Sequence, residues 1–516
     1  MSNIRMHALA VATAVALTAI AAPASAGKVS TSGLEAGKTY DGFIVKYRKG
    51  SAERADVGQV KAALGRASKG KIAGKALALG HARRLGIGAD LITSNRKLDT
   101  AEAEALMQLI AADPNVEYVH VNGRLHALMT PNDTSYNQQW GFSGANGIRA
   151  QTAWDRATGQ GVVVAVLDTG ITAHTDLDAN ILPGYDFVTA GDGIDPRDGD
   201  NRDANPRDEG DWYAAGECGG QPRAANSSFH GTHVAGTVAA VTNNASGVAG
   251  TAFNAKVVPV RVLAKCGGSF ADIIDGITWA SGGAVNGVPA NANPAEVINM
   301  SLGGGGACPA ALQDAINAAV GRGTTVVVAA GNDNADARNF TPAGCASVIT
   351  VGSINSNGAR SSFSNWGPAV DIAAPGGTIY STVNTGATVP AAQGYTNMSG
   401  TSMASPHVAG VVALMQSVAA DPKTPAQIEA LITGNAAAFP ANPDRAIGAG
   451  IVNANAAVNA VLGVEPPPPV GNALTKGVAK TGLSAATGAY AKFTMVVPAG
   501  ASNLTFTMSG GTGDAD

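Results

Sequence analysis

Three short runs of this chain put a nucleophile, a base and an acid in settings suited to moving a proton. The run Gly400-Thr401-Ser402-Met403-Ala404-Ser405-Pro406-His407-Val408-Ala409-Gly410 sets a serine in a glycine-flanked turn directly before an apolar helix. Glycine leaves the backbone free to bend and open to a substrate. Unpaired N–H groups at a helix start can hold a negatively charged oxygen. Pro406 suits a first helical turn, where no donor is needed, and Val408, Val411, Val412 and Leu414 supply a buried face. His230-Gly231-Thr232-His233-Val234-Ala235-Gly236-Thr237 opens another small-residue helix with a histidine. Gly161-Val162-Val163-Val164-Ala165-Val166-Leu167-Asp168-Thr169-Gly170 reads as a buried parallel strand, apolar on both faces, ending in an acid. Open α/β sheets build their sites at such carboxyl ends.

A serine that attacks a carbonyl needs an imidazole to take its proton and an acid to fix that imidazole's tautomer. Taken singly, Asp168 reads as a turn residue, His230 as a helix-start residue and Ser402 as an N-cap. Three such placements in one chain argue for chemistry instead. His233 and His407 lie within the helices that follow their motifs and read as packing.

In the order Asp168, His230, Ser402, the Asp-Thr-Gly, His-Gly-Thr-His and Gly-Thr-Ser-Met-Ala-Ser-Pro-His segments resemble the subtilisin family of serine proteases, over roughly residues 135–460. The resemblance implies a three-layer α/β catalytic domain built on a parallel sheet. It also implies that Asn332, after the apolar run Thr324–Ala330, donates its amide to the oxyanion together with the Ser402 N–H. In a subtilisin, losing that asparagine costs about 2.7–4 kcal/mol in the barrier. By the same resemblance Ser301, Leu302 and Gly303 pair with the substrate backbone, and Ala329, Ala330 and Gly331 form the facing wall. Backbone pairing does not read side chains, so broad specificity is expected. Asp333 is placed at the rim as a solvated carboxylate.

Two loops are candidate calcium sites. Residues 192–211 carry seven Asp and one Glu against three Arg, and Asp198, Asp200, Asp203 and Asp208 could gather round a hard cation. The alternative is a solvated acidic loop. The resemblance implies a second site at Gln139, Asp176 and Asn244 with carbonyls of Thr242, Ser246 and Val248. The Asp168–Asp176 segment is one residue shorter than the family's usual spacing.

The elements that must position these groups come with a secreted organisation. Of 516 residues 14% are charged, 66 are glycine, and the net charge is −4, so no basic surface for nucleic acid is indicated. Arg5, the apolar run 6–22 and Ala24-Ser25-Ala26 read as a secretory signal (1–26), and no later run suggests a membrane anchor. Four cysteines suit an oxidising compartment. They allow three pairings; Cys218–Cys266 with Cys308–Cys345 is the one favoured, and the rival zinc site lacks a Cys-x-x-Cys.

Residues 27–129 read as a small α+β unit. Its strands are 42–47, a middle region near 80–92 and 116–121; its helices are 55–64 and 100–112. It resembles subtilisin propeptides, which assist folding and inhibit through a carboxyl tail, here 125–130. The catalytic domain is expected over 130–462, closed by helices 424–432 and 453–461. A proline-rich linker follows (463–471), then the start of a β-sandwich module (472–516). The expected whole is a secreted, monomeric, self-processed serine endopeptidase that forms an acyl-enzyme on protein substrates. The rivals are a narrow processing protease and a non-enzymatic surface protein that kept the fold.

Overall fold

The computed structural model describes residues 27–31, 33–34, 38–69, 71–123 and 129–464. The expected signal segment, the tail at 124–128, most of the linker and the β-rich module lie outside the described residues. The chain divides into two compact units, Met1–His126 and Ala127–Asp516.

The smaller unit is α+β. Its main sheet has five strands in the order Lys28–Ser30, Val116–Val121, Tyr40–Tyr47, Asp90–Leu98, Leu79–Arg84. The expected middle region near 80–92 holds parts of two strands, turning back between Arg84 and Asp90. Helices Val57–Ala67 and Thr100–Ala111 supply Val60, Leu64, Leu106 and Met107 to a core shared with Phe43, Val45 and Ile92. The first helix begins two residues later than its periodicity suggests, because Asp56 caps it by accepting from Gly58 N at 2.9 Å.

The larger unit is built on seven parallel strands. These are β1 (Val163–Asp168), β2 (Tyr185–Asp186), β3 (Lys256–Arg261), β4 (Val297–Met300), β5 (Thr325–Ala329), β6 (Ile349–Ile354) and β7 (Ile372–Pro375). Their order across the sheet is β7-β6-β5-β4-β1-β3-β2. Side chains alternate between faces, so β1 sends Val164 and Val166 to one core and Ala165 and Leu167 to another. The first core takes helices α1 (His230–Ala239) and α4 (Thr401–Val418); the second takes α2 (Phe270–Ala280) and α3 (Ala310–Gly321). Burial on both faces is why these strands read as unbroken apolar runs. An antiparallel hairpin, β8 (Ile379–Asn384) and β9 (Gln393–Met398), covers α1. Its Ser381 and Thr382 hydroxyls donate to the carbonyls of His233 and Thr232 at 2.8 Å.

Both favoured disulfides are formed, Cys218–Cys266 and Cys308–Cys345, and among the described residues no cysteine is free. No described helix is long and apolar enough to cross a membrane.

Candidate active site

The ends of β1, β4 and β5 open on one cleft of about 570 Å³. His230, Ser301, Leu302, Gly303, Ala329, Gly331, Asn332, Asp333 and Ser402 all line it. Asp168 stands fully buried at the end of β1, and Ala330 is buried behind the wall rather than in it.

His230 is the first residue of α1, and its Nδ1 lies 2.8 and 3.0 Å from the two Asp168 carboxylate oxygens. Burial alone would lower the imidazole pKa. The charge and hydrogen bond of Asp168 outweigh it, with Asp211 and Asp208 adding, and the net shift is upward. His233 and His407 behave oppositely. Burial drives them down to about 3 and about 4, and their ring nitrogens bond backbone carbonyls, Ile379 and Thr396 for His233 and Met403 for His407. They are neutral core residues.

Ser402 is the second residue of α4, not a residue in a turn before it. The helix begins at Thr401, so Pro406 sits inside it rather than in its first turn. Proline has no N–H to offer the carbonyl four residues back, which is that of Ser402. The Ser301 hydroxyl donates there instead at 2.7 Å, and Ser402 Oγ donates to Ser301 O at 3.1 Å. Asn299 completes the brace, donating to Ser301 Oγ at 2.9 Å and accepting from Ser405 Oγ at 2.7 Å. Among the described residues the nucleophile's hydroxyl therefore rests on the β4 end and makes no hydrogen bond to His230. Such bonds commonly tighten only when substrate arrives.

Opposite lies the Asn332 amide. Thr401 N and Thr401 Oγ1 both donate to Asn332 Oδ1, at 2.8 and 3.0 Å. An N–H can only donate, so the amide nitrogen must face away, toward the cleft. A Cβ built on Gly400 would stand 3.5 Å from Asn332 Nδ2 and 3.6 Å from Ser402 N. Both donors therefore border one small space, which glycine leaves open.

Two further groups, for which the sequence offered no signal or a wrong one, support this arrangement. Asp208 accepts from Thr169 Oγ1 at 2.5 Å and from Gly210 N at 2.9 Å. Thr169 Oγ1 in turn accepts from Gly231 N at 3.0 Å, and Thr169 N donates to Asp168 Oδ1 at 2.8 Å. The acid's turn and the base's helix are thus tied through one hydroxyl. Burial pushes the Asp208 carboxyl up to about 7.

That placement corrects the first calcium expectation. Asp208 is spent behind Asp168, and Asp198 pairs with the buried Arg261 guanidinium at 2.6 Å. Arg261 also binds Asp186, while Asp198 accepts from Asp200 N at 3.3 Å and Asp203 from Asn205 N at 2.8 Å, each holding a turn of the loop. Among the described residues no three acidic, histidine or cysteine side chains are grouped to hold a metal. Of the loop's own arginines, Arg202 pairs outside it, with Asp272 and Asp275 on α2 at 2.7 and 2.5 Å, and Arg207 pairs with Glu209 at 3.4 Å.

The second expectation changes membership. Gln139 is bound to Ala249, accepting its N–H at 2.7 Å and donating to its carbonyl at 2.9 Å, which leaves its amide oxygen one lone pair for a cation. Asp176 already accepts from Asn244 Nδ2 at 2.6 Å and Val248 N at 2.8 Å. Asp133, not singled out from the sequence, is buried nearby. One of its oxygens accepts from Asn243 N at 2.9 Å, and the other has no partner. Burial, with the charge of Asp176 adding, raises its pKa. An orphaned buried carboxylate oxygen beside a second carboxylate fits a hard cation. The carbonyls of Thr242, Ser246 and Val248 accept no hydrogen bond among the described residues.

Comparison with known proteins bears on the whole arrangement. Residues 159–450 match the subtilase family. The chain is 56% identical over 508 residues to the extracellular protease of Xanthomonas campestris pv. campestris, covering 97% of this chain and 87% of that protein. It is 46% identical over 447 residues to the extracellular basic protease of Dichelobacter nodosus, covering 84% and 74%. A solved structure of proteases from Pseudoalteromonas arctica is similar at 54% identity and a TM-score of 0.63, covering 64% of this chain and all of that one. A parallel sheet with this cleft and matches of this depth lead to one conclusion: the chain belongs to the subtilase family and is an extracellular serine protease.

Proposed function

We propose that the protein is an endopeptidase of broad specificity, made as a self-processed zymogen, whose Ser402, His230 and Asp168 cleave peptide bonds through an acyl-enzyme. The observation that carries this is the bond of His230 Nδ1 to Asp168 on the wall of the cleft that also holds Ser402. That bond leaves Nε2 of a neutral imidazole as an acceptor. When substrate enters, the Ser402 hydroxyl leaves the Ser301 carbonyl and passes its proton to Nε2 as Oγ attacks the carbonyl carbon. Asn332 Nδ2 and Ser402 N stabilise the resulting oxyanion. The imidazolium then gives the proton to the departing amine. Water repeats the sequence on the acyl-enzyme and restores the hydroxyl.

Broad specificity is supported by Gly303, Gly304 and Gly305 along the cleft, whose backbone can pair with a substrate chain without reading its side chains. The proposed precursor has a signal at 1–26 and an inhibitory folding unit at 27–129. It continues as a catalytic domain at 130–462, a linker at 463–471 and a β-rich module from 472. The mature enzyme is taken to be a monomer. Calcium, held by Asp133, Asp176 and carbonyls of Thr242, Ser246 and Val248, would supply structural charge neutralisation and no chemistry.

Labelling by a fluorophosphonate, lost in Ser402→Ala, tests the nucleophile. The same variant should stay joined to residues 27–129; if it matures alone, self-processing is wrong. A peptide-library digest that gives one narrow motif would overturn broad specificity.

A further inference from the structure

The segment Ser364-Asn365-Trp366, between β6 and β7, has no part in the chemistry described so far, yet it runs along the turn that carries Asn332. Asn365 is fully buried. Its Nδ2 donates to Ala330 O at 2.9 Å, and its Oδ1 accepts from Asp333 N and Ala335 N, each at 3.0 Å. Its backbone N–H donates to Gly331 O at 2.9 Å. One residue thus bonds positions 330, 331, 333 and 335, on both sides of Asn332 and skipping Asn332 itself. The oxygen assignment is forced, because two backbone N–H groups need an acceptor and one carbonyl needs a donor.

Gly331 records the same contact from the other side. A Cβ there would stand 2.3 Å from Asn365 Nδ2, and φ is +101°, a region side chains rarely adopt. The turn is therefore shaped around the Asn365 amide. Thr401 grips Asn332 from the nucleophile's helix and also accepts from Gly331 N at 3.0 Å, so the oxyanion donor is held between two clamps.

We propose that Asn365 is a positioning residue for oxyanion stabilisation, setting the angle at which Asn332 presents its amide nitrogen to the developing charge. A donor works there only if it already points at the oxygen before the charge develops. A turn freed at Ala330, Asp333 and Ala335 would let Asn332 wander, and the loss would fall on the transition state, not on substrate binding. The inference rests on the oxyanion role of Asn332, and the experiment separates the two.

Asn365→Asp is nearly isosteric. It keeps an acceptor for the two N–H groups and sets a second oxygen against the Ala330 carbonyl. Asn365→Ala removes all three side-chain bonds. Each is measured alone and in an Asn332→Ala background, with kcat and KM per mole of folded protein and with the affinity of a peptide boronic acid. The expected result is a kcat loss of about 10-fold or more with KM within twofold, a parallel fall in boronate affinity, and less than threefold further loss once Asn332 is alanine. Equal losses in both backgrounds, or a change mainly in KM, would overturn the proposal. If Asn332→Ala alone is harmless, the oxyanion assignment fails first. Should Asn365→Ala not fold, Asn365→Asp decides the matter by the same cycle.

Discussion

The Thr401 N–H donates to Asn332 Oδ1 at 2.8 Å, and the residue after Thr401 is the serine that bears the reactive hydroxyl. The backbone that delivers the nucleophile thereby also turns the amide that receives the charge. Any shift of the α4 start moves both together, which keeps attacking oxygen and oxyanion donor in register.

Gly400→Ala should fill the space between those two donors. Backbone φ at this position is 165°, an extended value open to any residue, so the change tests occupancy and not strain. A methyl 3.5 Å from Asn332 Nδ2 and 3.6 Å from Ser402 N would exclude the oxyanion. We expect kcat to fall about 10²-fold, the scale of losing one oxyanion donor, with KM nearly unchanged. Near-native kcat would show that the oxygen binds elsewhere.

The acid limb of kcat/KM should lie above the ordinary imidazole value of about 6.5, because His230 must be neutral to accept the proton. Asp168 holds the imidazolium up, and Asp211 contributes. Removing a nearby carboxylate destabilises the charged ring, so Asp211→Asn should move the limb to lower pH by a few tenths of a unit. A limb that stays put or rises would contradict this electrostatic account.

Asp208 should tie stability to pH in the opposite sense from an ordinary paired carboxylate. Its folded pKa, about 7, exceeds the unfolded value of about 3.9. Its stabilising contribution is therefore full below the unfolded value and is lost as pH rises through the folded one. The slope is at most about 1.4 kcal/mol per pH unit. Asp208→Asn, in a Ser402→Ala background to prevent autolysis, should flatten the pH dependence of urea unfolding between about 4 and 7. An unchanged slope would place the titration elsewhere.

Chelation should shorten the enzyme's survival on heating. If calcium sits at Asp133 and contributes about 2 kcal/mol, removing it lowers Tm by roughly 3 °C in a domain of this length. Asp133→Asn should lower Tm in calcium and leave little for the chelator to remove. A Tm indifferent to chelator would dispose of the site.

How much of this was legible beforehand follows from the range of each interaction. The β1 run Val163–Asp168 announced both its burial and its terminal acid, since burial on two faces leaves a local pattern. His230 at the head of α1 and the two disulfides were likewise readable. Pro406 misled because a proline inside a helix is tolerated only when something else serves the freed carbonyl, and here that is Ser301, 101 residues away. The acidic loop misled for a related reason. Composition counts charges but not partners, and Arg261, fully buried at the end of β3, is reached only through the sheet.

The sequence by itself determined the order and local setting of Asp168, His230 and Ser402, because turn glycines, strand apolarity and helix starts are written in neighbouring residues. Only the tertiary structure decided which carboxylates face cations, which carry the site and which keep an unpaired oxygen. Asn365, Asp208 and Asp133 owe their roles to partners that the fold brings together from distant segments. A hydrogen bond depends on distance and angle in space, and no local pattern encodes those.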